Sequence, residues 1–212
     1  MLITGLVTII LTGCAGDDYG RRTESAYKKL LKRQIRKAEH TSSESPSSKE
    51  LPEMTSLDHE RAGDMNFAQR NFSKAFIHYE KSLRLDANNT GVHYKKGLLF
   101  TIAKMNEEAI KELQEVLVKD PKHALAHQAL GLALYSMKNY EEAEKHLQQA
   151  IELEPKLWKA RNILGVIYDH KKLHSKALIQ YQKAIAVKPE NASLYNNMGL
   201  CYFFIGKYLR AL

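Results

Sequence analysis

From residue 56 onward the apolar positions of the chain repeat with a period of 34 residues. Glycine stands at positions 63, 97, 131, 165 and 199, and alanine follows twelve residues later at 75, 109, 143, 177 and 211. Proline stands at 121, 155 and 189, again 34 apart. Three residues after the glycine the chain carries Phe100, Leu134, Tyr168 and Tyr202. Self-similarity at this period marks a stacked array. Within one period, Ala124 to Met137 places Leu130, Gly131 and Leu134 at helical spacing. Lys138-Asn139 predicts a short turn, and Tyr140 to Leu153 then carries Ala143, Leu147 and Ala150 on one stripe. Pro155 stops that second helix, since it cannot continue the backbone ladder. Glycine inside a helix costs about 1 kcal/mol relative to alanine. Its recurrence at one register position therefore predicts a place where helices approach closely. One helix pair cannot bury its apolar face alone, whereas stacked pairs can. The predicted fold is all-α, a superhelix of stacked antiparallel helix pairs. Its units are 56–89, 90–123, 124–157, 158–191 and a partial 192–212.

This register resembles the tetratricopeptide repeat (TPR) family. The resemblance implies that the first helix of each unit lines a concave groove, where a protein partner lies as an extended peptide or a helix. The fifth position of each unit reads Glu60, Tyr94, Gln128, Asn162 and Asn196. Three consecutive amides there could pair with a ligand backbone, because Asn and Gln both donate and accept. The ninth position reads Asp64, Leu98, Leu132, Val166 and Leu200, and the twelfth Phe67, Thr101, Tyr135, Asp169 and Phe203. The expected groove is amide-rich with apolar and aromatic ribs. Its candidate binding residues are Tyr94, Gln128, Tyr135, Asn162, Asn196 and Phe203, and they suit a hydrophobic peptide or helix. A second reading packs Leu98, Leu132, Val166 and Leu200 between units and leaves the amides facing water. Lys95 and Lys159 lie on first helices, but they do not reproduce the carboxylate clamp of chaperone-binding TPR domains.

The first 55 residues follow another pattern. Residues 2–11 form an uncharged apolar run. Ten residues are too short for a spanning helix, which needs about 20. The run suits the apolar region of a secretory signal. It leads into Leu11-Thr12-Gly13-Cys14, which resembles the bacterial lipobox, although no Lys or Arg precedes the run. That resemblance implies removal of residues 1–13 and lipidation of Cys14. It also implies an outer-membrane lipoprotein of the bacterial cell envelope, facing the periplasm. Residues 14–55 then form a lipid-anchored basic and Ser-rich tether. Between Arg21 and Lys37 there are eight Lys/Arg against one acid, Glu24, and Thr41 to Ser48 reads TSSESPSS.

Two stretches, Asn162 to Asp169 and Tyr195 to Cys201, resemble the TPR lipoprotein of the Flp (tight-adherence) pilus assembly system. The Asn196–Gly199 segment also resembles the type IV pilus pilotin. Both resemblances imply a membrane-anchored scaffold for a pilus or secretion apparatus. Two other readings stay open. One is a soluble TPR adaptor of the co-chaperone kind. The other is the recruiting part of a larger enzyme that continues past Leu212, inside the second helix of the fifth unit.

Net charge and chemistry narrow the classes. The chain has 212 residues and a net charge of +8, spread over several helices, which argues against a nucleic-acid site. Two cysteines exclude a disulfide framework or a multi-cysteine metal site. No GxSxG, P-loop, HExxH or GxGxxG motif occurs, so a non-catalytic protein without cofactor or metal is expected. His123 and His127, and His170 and His174, are four apart and could share a helix face, but no carboxylate is placed beside them by sequence. Cys201 reads as a small core residue.

Overall fold

A computed structural model describes Arg33 and residues 54–206. The apolar run 2–11, the lipobox with Cys14, nearly all of the tether, and residues 207–212 with Ala211 lie outside the described residues. Among the described residues every regular element is an α-helix. They are α1 Ser56–Ala68, α2 Phe72–Leu85, α3 Thr90–Ile102, α4 Asn106–Lys119, α5 Ala124–Ser136, α6 Tyr140–Leu153, α7 Trp158–His170, α8 His174–Val187 and α9 Ala192–Phe204. None of them is long and apolar enough to cross a membrane.

Helix ends follow from local chemistry. Thr55 and Asp58 form a capping box at α1: Asp58 N–H donates to Thr55 Oγ1 at 3.2 Å, and Thr55 N–H donates to Asp58 Oδ2 at 3.0 Å. Asn89, Asn139 and Asn191 accept from the first turns of α3, α6 and α9, and His123 Nδ1 does so for α5. The turn inside each pair passes through one left-handed residue: Arg70 (φ 58°), Lys104 (52°), Lys138 (64°), Lys172 (60°) and Gly206 (74°). In the four turns at Arg70, Lys104, Lys138 and Lys172, the N–H of that residue reaches back three residues and the next N–H reaches back five, as in Lys172 N–H to Asp169 O at 2.9 Å and Leu173 N–H to Tyr168 O at 2.8 Å. Both satisfy carbonyls that the helix end would leave orphaned. Four of the five turns hold this conformation without glycine, and these two backbone bonds are what over-determine it.

Each pair closes around its glycine. A Cβ at Gly63 would lie 2.4 Å from Tyr79 Cε1, and one at Gly165 would lie 2.5 Å from Tyr181 Cε1. At Gly97 and Gly131 the facing group is the Leu113 or Leu147 side chain, at 2.8 and 2.6 Å. The small residue of the first helix thus receives a large one from the second, sixteen positions later. Ala75, Ala109, Ala143 and Ala177 are fully buried beside these contacts. Second helices pack on the first helix of the next pair, and the core runs on from Phe76, Leu99 and Phe100 through Leu113 and Leu130 to Leu147, Ile167 and Tyr181. First helices also touch one another, α3 with α5, α5 with α7 and α7 with α9, which puts them on the inside of the curve.

Candidate functional site

The inner face begins with charge. Lys95 on α3 donates to Glu60 Oε1 at 2.7 Å and Asp64 Oδ2 at 2.6 Å on α1. Burial works to lower its pKa, but these two carboxylates outweigh it and hold it above the ordinary lysine value. Deeper, Lys96 is paired with Glu80 and, at 2.9 Å, with Glu112. Both lysines are committed to neighbouring helices of the stack.

Toward the middle the face becomes aromatic. Tyr94 is half-buried with its ring 4.8 Å from His123, and its phenol is pushed up by that burial. Tyr135 lies 5.9 Å from Tyr140 and 6.2 Å from His170, and Tyr140 stacks on His170 at 5.2 Å. Gln128 is half-buried. The Asn162 carbonyl oxygen already accepts from Asn197 Nδ2 at 2.9 Å, a bond between successive first helices. Asn196 is exposed, and Phe203 is 54% exposed with its ring edge-on to Phe204. The six sequence-derived residues all stand on first helices, but at different degrees of exposure. Tyr94, Tyr135 and Asn162 are half-buried and make contacts within the stack, while Asn196 and Phe203 are exposed. At the ninth position both readings occur: Leu98 and Val166 pack against the core, and Leu200 is 47% exposed.

Between α7, α8 and α9 lies a pocket of about 490 Å³, lined by Val166, Asp169, His170, His174, Leu200 and Phe204 among others. At its base, Asp169 Oδ1 is 2.9 Å from His174 Nδ1, and Tyr181 donates its hydroxyl to Asp169 Oδ2 at 2.8 Å. Burial and the Asp169 carboxylate push the Tyr181 phenol up. The buried Cys201 thiol donates to the His174 carbonyl at 3.5 Å, and burial with Asp169 pushes it up to about 12. The sequence reading missed this group. It corrects the His170/His174 pairing: Lys171–Leu173 break the helix between them, so His170 ends α7 and faces Tyr140 while His174 opens α8 and faces Asp169. His123 and His127 part too, though at the start of one helix. His123 caps α5, and His127 Nδ1 lies 2.9 Å from His146 Nδ1. Columns read along the 34-residue register, at positions twelve and seventeen with position ten of the next unit, would have shown Asp169, His174 and Cys201 as one group.

The "Tetratricopeptide repeat" family model matches residues 124–157, and the "TPR repeat" model matches residues 174–206. A solved structure described as MamA protein is 30% identical, with 74% of this chain and 85% of that chain covered and a TM-score of 0.65. The chain belongs to the tetratricopeptide repeat family. Fold likeness extends to a MamA from Desulfovibrio magneticus RS-1, at 20% identity and TM-score 0.67, with 74% of this TPR chain and 88% of that one covered. It extends also to Pseudomonas aeruginosa pilF, at 22% and 0.66, over 74% of this chain and 71% of that one. YrrB, described as a TPR protein with an unusual peptide-binding site, is 22% identical with a TM-score of 0.61, over 74% and 81%. No curated protein sequence matches the chain. TPR arrays are protein–protein interaction scaffolds that bind peptide or protein partners, and they are typically non-catalytic.

Proposed function

We propose that this TPR chain docks an apolar helix or extended peptide of a partner protein on its inner face. The partner would lie along Tyr135, Asn196, Leu200 and Phe203, with a side chain entering the pocket between α7 and α9. The observation that carries this reading is the exposed apolar surface beside that pocket: Leu200, Phe203 and Phe204 are 47%, 54% and 64% exposed on one helix. Exposed apolar surface beside a pocket is a common mark of an interaction site. The amides Gln128, Asn162 and Asn196 would hold the partner's backbone. A photo-crosslinking residue at Phe203 tests the face in cells, with one at Val118 on α4 as the control. A discrete adduct from Phe203 alone supports docking there, and equal adducts from both sites refute it. Changing Gln128 and Asn196 together to Ala should then weaken capture of that partner with the melting temperature little changed, whereas adding Asn162→Ala also removes the bond to Asn197 and should lower it.

The finer role we propose is a lipoprotein scaffold for assembly of a pilus or secretion apparatus in the bacterial envelope. It rests on the Leu11–Cys14 lipobox and on the stretches 162–169 and 195–201. Metabolic labelling with a fatty-acid probe decides the anchor: label lost in Cys14→Ser supports it, and label retained in that variant, or absent from the parent, refutes it.

A further inference from the structure

The same three register positions can be compared along the stack. In the first unit they hold Phe67 and Phe72, edge-on at 5.5 Å, with Leu99 of the next unit. In the second they hold Thr101, Asn106 and Ala133, and in the third Tyr135, Tyr140 and Ile167. These sites serve packing. In the fourth unit the same places carry a carboxylate, an imidazole and a thiol, from Asp169, His174 and Cys201. One donor atom from each lies within 4.8 Å of the others. Oxygen, nitrogen and sulfur donors together suit a borderline-soft divalent ion, and zinc takes them at about 2.0–2.3 Å. To reach them, the Asp169 Oδ1–His174 Nδ1 hydrogen bond, 2.9 Å long, opens and the ion takes the place of its proton.

The surroundings favour a held ion. Tyr181 donates to the far oxygen of Asp169, which fixes the carboxylate as a supporting outer group does at metal centres. The His174 ring is stacked on Phe204 at 6.1 Å and 18°, which limits its rotation. Asp169 and His174 both line the pocket, so a fourth position faces open space that water can fill.

The geometry points to a zinc-binding site formed by Asp169, His174 and Cys201, three-coordinate from the protein and open to the pocket. On binding, the Cys201 thiol becomes thiolate and its proton passes to solvent. His174 binds as neutral imidazole through Nδ1, with its proton on Nε2. No redox change occurs. The ion ties α7, α8 and α9 together at one point, with its open position toward the pocket that also borders the proposed partner face.

Cobalt(II) titration of the purified full-length chain tests this, since a cobalt–thiolate bond absorbs in the near ultraviolet. One equivalent should produce the band and zinc should displace it. Zinc should also raise the melting temperature. Cys201→Ser and Asp169→Asn should abolish the band, Cys14→Ser should leave it, and Tyr181→Phe should weaken binding about tenfold. Circular dichroism in EDTA checks that each variant is folded, and the near-isosteric Asp169→Asn decides if Cys201→Ser is not. A missing band in the parent would overturn the site and leave a hydrogen-bond network only. So would a band retained in folded Asp169→Asn, or binding lost in His127→Ala instead, which would place the ion at the histidine pair.

Discussion

Gly165 and Tyr181 show how a single missing atom sets the distance between two helices. The Tyr181 ring occupies the space a Cβ would need, and its hydroxyl is held by Asp169, so the ring cannot withdraw without breaking that bond. Gly165→Ala should therefore destabilise by roughly 1–3 kcal/mol through overpacking, against the alanine's better helix propensity. Urea unfolding followed by circular dichroism measures it, and an unchanged midpoint would show that the ring can move. The glycine column was legible because few physical reasons put glycine repeatedly inside helices. Its partner was not, because the facing position alternates between Tyr79, Leu113, Leu147 and Tyr181 and shares size rather than identity.

At the scale of the element, each of the four described helix pairs is joined by a polar pair nineteen residues apart: His59–His78, His93–Glu112, His127–His146 and Arg161–Gln180. His127 Nε2 faces the Pro121 carbonyl at 3.0 Å, which only accepts. The bonding pattern thus puts the donor of the histidine pair on His146 Nδ1. Burial, then the His127 ring, hold the His146 pKa below the ordinary histidine value, while Glu142 opposes and Lys145 adds to the lowering. His59 and His78 are lowered too, first by burial, then at His59 by Lys81 against Asp58 and at His78 by the His59 ring and Lys81. A lowered base favours folding while neutral. That contribution is complete above the ordinary value of 6.5 and is lost as pH falls through it toward the folded values. The melting temperature should fall between pH 7.5 and 5, and fall less in His146→Gln, which keeps an amide donor for His127. Equal slopes in thermal scans would contradict this. The helices α5 and α6 were readable nearly to the residue from spacing, the Lys138-Asn139 turn and Pro155. The histidine pairs were not, since a reading confined to one helix cannot see a contact across two.

Across the described residues, the helix pairs pack chiefly on their neighbours along the stack. Lys96 joins α3 to Glu80 on α2 and Glu112 on α4, and although burial works to lower it, Glu112 and Glu80 keep it raised and charged. Lys96→Met leaves two carboxylates facing each other in a largely buried site, at a cost of about 3 kcal/mol. Hydrogen exchange should then quicken in α1 to α4 while α6 to α8 keep their protection. Uniform quickening would mean that the array unfolds as one body. The array itself was legible in the sequence, because the 34-residue period is a property of the whole chain. The pocket was not, because it depends on three columns from two units meeting at one place.

The inner contacts have a geometric consequence. First helices touch their neighbours and are pinned by Asn162–Asn197 and by Lys95 with Glu60 and Asp64, whereas second helices rest on the next first helix. Spacing along the inside is thus fixed by contact, and a change of curvature is taken up on the outside. The inner face is a ruler with one mark per repeat: a segment laid along it meets the same graduations whether the coil is tightened or relaxed.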